Sequence, residues 1–222
     1  MPTLTGGNSY GLSLAERKIG LDSKVLSIDN CGWLKYQTDF NLNIDSGNYF
    51  GMLLGEFKKI RAFLKIRKKY DIYHFNFGSS LIDIARFGIF LWDVPFYNKS
   101  SKIFVTYNGC DARQKYPTME RTRIAPCHNP NCYGGMCNSG KRDLRRKRKI
   151  EKFSKYALHM FAVNPDLLWF LPKEQSSFLP YTISNWDDIK KKENNFEKKK
   201  IKIIHAPTNK AAKGSDYILK AL

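Results

Sequence analysis

Apolar positions recur along this chain with two alternating spacings. In GNSYGLSLAERKIG, residues 7 to 20, Leu12, Ala15 and Ile19 fall at i, i+3 and i+7 behind a glycine turn, which predicts an amphipathic helix closed by Gly20. DSKVLSI, residues 22 to 28, follows as a short strand. Residues 53 to 69 place Leu53, Phe57, Ile60 and Leu64 on one helical stripe with Lys58, Lys59, Arg61 and Lys65 around it, and the aromatic DIYHFNF at 71 to 77 is a strand. The same reasoning predicts a helix near 80 to 92, a strand from Lys102 to Tyr107 and a helix starting near Arg142. It then predicts a strand at 157 to 163, a short helix at 165 to 171 with Pro165 in its first turn, and a strand at 176 to 183. Asn108 to Gly140 is a long irregular region.

Repeated strand and helix units predict an α/β fold, a Rossmann-like doubly wound parallel sheet over residues 1–183. SNWDDIKKKENNFEKKK, residues 184–200, is charged, lacks apolar periodicity and reads as a linker. IKIIHAPTNKAAKGSDYILKAL, residues 201–222, has the strand, turn and helix that would open a second such domain. Only PTLT stands before the Gly6-Gly7 turn, where a doubly wound fold expects a full first strand, so the chain reads as a fragment.

Composition narrows the class. With 222 residues, 42% hydrophobic and 14% aromatic, the chain can build a core and is not a disordered tail. It has no uncharged apolar run of about 18 residues and no basic-then-apolar leader, which makes the cytoplasm the expected location. A formal net charge of +18 attracts polyanions: nucleic acid, lipid head groups or phosphorylated ligands. KRDLRRKRKIEK, residues 141 to 152, concentrates that charge, with Ile150, Phe153 and Ala157 on its apolar side. It reads first as a charged outer face, with an anionic lipid contact or a nucleic-acid contact as the alternatives.

Five cysteines without a leader argue against a secreted disulfide scaffold. CHNPNCYGGMC, residues 127 to 137, spaces Cys127, Cys132 and Cys137 as C-x4-C-x4-C, and Cys110 lies in the same loop region. Four thiolates can hold a tetrahedral structural zinc, with His128 able to replace one, and a long irregular loop gains from such a cross-link. Small apolar cysteines in a core and a redox pair are the alternatives. His74 and His205, on strands among apolar neighbours, are expected to be packed or hydrogen-bonded within the sheet.

TGGNSYGLSLAERKIG, DIYHFNFG, KIFVTYNGCDAR, FAVNPDLLWFLP and IIHAPTNKAAKGSDYILKAL, in that order and spacing, resemble the family 4 glycosyltransferases of the GT-B fold. The resemblance implies two Rossmann-like domains, a nucleotide-sugar donor, a glycan or lipid-linked acceptor, retention of configuration and no catalytic metal. It puts Gly6, Gly7 and Asn8 where backbone N–H groups approach a phosphate, and Lys210 and Lys213 where cations neutralise the donor diphosphate. Asn108 stands where many relatives have a histidine near the reacting sugar. Because an amide is no base at neutral pH, Asp111 becomes the candidate for an acceptor hydroxyl and Arg113 for a charged group. An Asn-Gly turn with Asp111 and Arg113 paired on the surface is the plain alternative. Peripheral attachment to the inner membrane face, where a lipid-linked acceptor would be found, is the expectation if residues 141–152 meet anionic lipid, and no specific nucleic acid is expected. A zinc-stabilised nucleic-acid-binding module using residues 141–152 is the second reading.

Overall fold

Aromatic and β-branched residues at 72–76 and 102–107 favour pleated backbone, and in the computed structural model they pair side by side. The structure describes residues 7–28, 38–44, 49–84, 87–182 and 204–222. Two short strands, β1 (Leu26–Ser27) and β2 (Phe40–Asn41), form a parallel pair. A second parallel sheet has the order β3 (Ile72–Asn76), β4 (Lys102–Tyr107), β5 (His159–Ala162), β6 (Ser176–Phe178). The fold is therefore α/β with parallel sheets, as the alternating pattern predicts.

Period-two alternation gives the larger sheet two unlike faces. Tyr73, Phe75, Ile103, Val105, Tyr107, Met160 and Ala162 point into the core, which Phe63, Leu91, Val94, Tyr97, Ile150 and Phe153 complete from outside the sheet. On the other face lie His74, Phe104, His159 and Phe161. Phe104 and Phe161 stack with centroids 6.1 Å apart, and the His74 ring is 5.8 Å from Phe161. His74 Nε2 meets Thr106 Oγ1 at 2.7 Å within the sheet as expected, whereas His205, exposed and outside any strand, meets Ser215 Oγ at 2.9 Å.

α1 (Asn8–Lys18) starts at Gly7, which has a left-handed φ of 71°. A cavity of about 520 Å³ separates β1 from β3 and is lined by Leu12 and Ser13 of α1, Val25, Leu26, Tyr73 and Phe75 among others. The expected first strand falls on residues 1–6, and the whole of the expected linker, 184–200, on residues 183–203. Both lie outside the described residues.

α2 (Tyr49–Ile66) buries the side opposite to its most apolar stripe. Gly55 lies so close to Ile44 that a Cβ there would sit 2.4 Å from its Cγ2, and Phe63 inserts edge-on between Trp92 and Tyr97. Close approach at a glycine and one well-fitted ring thus fix the inward face. Leu53, Phe57, Ile60 and Leu64 are left in solvent.

The helix expected near 80 to 92 does not form. Its opening N–H groups are turned away from helical partners: Leu81 N and Ile82 N donate to the Asp93 carboxylate at 3.1 Å each, joined there by Ser80 Oγ and Tyr97 OH. Leu91 adopts φ 52° and Gly88 φ 68°, and a single turn, Val94–Phe96, follows. Burial raises the Asp93 carboxyl pKa, and the hydrogen bonds from Ser80, Ile82 and Tyr97 pull the other way.

Burial also lowers the His74 imidazole to about 4. A histidine depressed in the fold leaves stability intact above its unfolded pKa near 6.5. Stability then falls as pH drops from there toward 4, because only the unfolded chain takes up the proton. Urea unfolding between pH 7 and pH 4.5 should show a loss of about 2 kcal/mol that His74→Gln removes. An identical pH slope in the variant would show that His74 does not carry the effect.

Candidate functional site

Parallel strands end at one edge, and here three of them end in the same residue type. Asn76 closes β3, Asn108 follows β4 and Asn164 follows β5 after Val163. Open parallel sheets bind ligands at this carboxyl edge, where backbone amides and loop side chains converge without strand neighbours. The backbone is tightly wound here. Phe77 and Gly78 both have left-handed φ, 61° and 51°, and a Cβ on Gly78 would sit 2.5 Å from the Tyr107 ring, which is fully buried.

The asparagines form one network. Asn108 Nδ2 donates to Asn76 Oδ1 at 3.1 Å, and the Asn108 carbonyl accepts from Asn164 Nδ2 at 3.2 Å and Tyr181 OH at 3.1 Å. Asn108 Oδ1 is buried and has no hydrogen-bond partner among the described residues. An acceptor left so costs about 1–3 kcal/mol until a donor reaches it. The network has amide donors and acceptors and no group that titrates near neutral pH, so it is suited to hydroxyls rather than to proton abstraction.

Asp111 turns back on its own loop. Its carboxylate accepts from Asn108 N at 3.0 and 3.1 Å and from Gly109 N at 2.6 Å, a carboxylate-capped turn in which burial raises its pKa against the lowering by those amides. Arg113 pairs with Asp166, its Nη2 2.7 Å and its Nε 2.8 Å from Oδ2, and so ties this loop to the turn after β5. In this arrangement Asp111 sets the backbone of Asn108, while Arg113 braces the neighbouring segment.

Gly7 and Asn8 lie at the same edge. Thr182 donates through N (3.1 Å) and Oγ1 (3.0 Å) to Asn8 Oδ1, and through Oγ1 (2.8 Å) to Asn8 O. The adjacent residues Tyr181 and Thr182 therefore link the Asn108 turn to the start of α1. Gly6 lies outside the described residues. Lys210 and Lys213 are exposed in the turn before α5 (Ser215–Ala221), where Ala212 N donates to Asn209 Oδ1 and Lys213 N to Asn209 O. Residues 204–206 there are not in a strand, and 201–203 lie outside the described residues.

The irregular region contains more structure than its sequence predicts, namely α3 (Lys115–Arg121) and two single turns, Pro126–His128 and Cys132–Gly135, ahead of α4 (Lys141–Ser154). No buried hydrophobic residue lies between Ala112 and Ile150, and polar contacts hold the segment instead. Asp143 accepts from Lys115 N and Tyr116 N, Tyr116 OH donates to Asn138 O, and His128 Nε2 meets Thr122 O at 2.7 Å. Cys110, Cys127, Cys132 and Cys137 are all free thiols. Burial raises the Cys127 and Cys132 thiols, and both also feel Cys110. Among the described residues no three or more His, Cys, Asp or Glu side chains are gathered so as to hold a metal ion.

Asn76, Asn164, Tyr181 and Thr182 escape a motif search. One signal was present in the sequence: IYHFN, VTYN and FAVN each end an apolar run in asparagine. No family model, no curated protein and no solved structure matches this chain.

Asp111→Ala should strand the N–H groups of buried Asn108 and half-buried Gly109 and lower unfolding free energy by about 1–3 kcal/mol in urea titrations. Wild-type stability in that variant would mean that the carboxylate does not anchor the turn.

Proposed function

We propose that the chain is the acceptor-side part of a nucleotide-sugar-dependent, GT-B type glycosyltransferase, with the first turn and helix of the donor side at 204–222. The observation that carries this reading is the buried, unpartnered Asn108 Oδ1 in an amide network at the carboxyl edge of a parallel sheet. A sugar hydroxyl is a neutral donor and acceptor of the kind that such a network accommodates. Asn108 and Asn76 would orient the acceptor, Asp111 and Arg113 would hold the turn, and Gly7 at the start of α1 stands near that edge. Lys210 and Lys213 would face the donor diphosphate, fixed positive charge being worth most where negative charge develops.

The test is sugar transfer from a panel of nucleotide sugars by the protein as its gene encodes it. Lys213→Ala should lower transfer at least tenfold, about 1.4 kcal/mol of transition-state stabilisation. Asn108→Ala should lower kcat/KM for the acceptor and leave donor hydrolysis in place. Absence of transfer with every donor, or full transfer by both variants, would refute the assignment.

The cysteine region enters the proposal as a structural element. Its donor set is that of a tetrahedral thiolate zinc centre, and the segment has no core residue of its own, but the thiols are not gathered for an ion. A metal would have to draw them together, and no step of transfer is routed through it. Protein expressed with added zinc should contain close to one ion per chain and lose it in Cys132→Ser. Metal-free protein whose melting ignores both chelator and Cys132→Ser would remove zinc from the proposal.

A further inference from the structure

α4, the most basic helix of the sequence, has much of its charge turned inward. Arg146 pairs with Asp143, Lys149 bonds to Asp83 and Ser79, Lys152 donates to Phe90 O, and Arg145 lies over the Phe90 ring. α2 is the opposite case, with an apolar face turned outward. Phe50, Leu53, Leu54, Phe57, Ile60 and Leu64 follow one another at helical spacing on its solvent side. Phe50 is 77% exposed, Phe57 68% and Leu64 58%. The strip runs about 21 Å along the axis, and a contiguous exposed apolar strip of this kind marks an interaction surface.

Charge identifies the partner. Arg61 and Lys65 are exposed beside the strip, and Lys68 and Lys69 follow its end. The one acid of residues 49–69, Glu56, is on the inward side and bonded to Lys59 at 2.8 Å. A second copy meeting this face would bring like charges together, and the +18 net charge opposes self-association throughout. Among the described residues no helix is long and apolar enough to cross a membrane. An amphipathic helix with an apolar strip and a cationic flank has the form that lies in the headgroup plane of an anionic bilayer.

We propose that α2 is a docking surface for anionic phospholipid, with Phe50, Phe57 and Leu64 inserted among the acyl chains and Arg61, Lys65 and Lys68 set against lipid phosphates. This surface is independent of the transferase reading, and its test reads binding and not transfer, so either can fail without the other. The full chain is floated with phosphatidylcholine vesicles, with and without phosphatidylglycerol, at low and high salt. Wild type should float with the anionic vesicles at low salt. The double variant Phe57→Asp, Leu64→Asp should bind at least tenfold more weakly with unchanged melting, since both side chains are exposed. Lys147→Glu with Arg148→Glu, on the outer side of α4, should weaken binding far less. No flotation of wild type, equal flotation of the α2 variant, or loss confined to the α4 variant would each overturn the proposal. So would a wild-type dimer that Phe57→Asp dissociates, since the strip would then belong to a second copy.

Discussion

Parallel pairing of β4 with β3 on one side and β5 on the other is the constraint from which the rest follows. In-register neighbours bring Asn76, Asn108 and Asn164 to one edge, and the same alternation commits Val105, Tyr107 and Met160 to the core. Were β4 to slip by one residue, Phe104 and Thr106 would face inward and the Asn108 turn would lose its partners on both sides. The winding at Phe77 and Gly78 is a consequence of that register. The chain must leave β3 against a buried tyrosine ring, and only a residue without Cβ fits at 78.

Elements were legible where local preference and tertiary demand agree. β3, β4, β5 and α4 form within one or two residues of the apolar runs that predict them, because short aromatic and β-branched runs have few other uses. The segment at 80–92 was not legible, since its conformation is set by the Asp93 carboxylate reaching back to Ser80, Leu81 and Ile82. No window of helical periodicity contains that information. The edge network was half legible. Asn108 was visible through its Asn-Gly turn, whereas Asn76 and Asn164 gain meaning only when two other strands bring them beside it.

The two amphipathic helices show how pattern and packing part company. On α4 four of the cations, Arg145, Arg146, Lys149 and Lys152, are held by Asp83, Asp143 and the Phe90 carbonyl and ring. On α2 the apolar stripe lost the core to a face with Gly55 and Phe63, because fit at close range outweighs total hydrophobicity when one helix has two candidate faces. Charge and apolar surface are thus distributed on this molecule differently from what their density along the sequence implies.

The clamp between Asn8 and Thr182 joins residues 174 positions apart. Closing a flexible loop of that length costs on the order of 4–5 kcal/mol of chain entropy, so the clamp closes late, after the strands between have paired. During synthesis at about 5–20 residues per second, α1 exists for roughly 10–35 s before its partner has been made. Over that interval Asn8 lacks its Thr182 partner, while α1 is tied through Arg17 to Asp39 and through Ser13 to Ser23. The edge that holds Asn108 is therefore completed by one of the last events of folding, and the order of assembly runs from the middle strand outward.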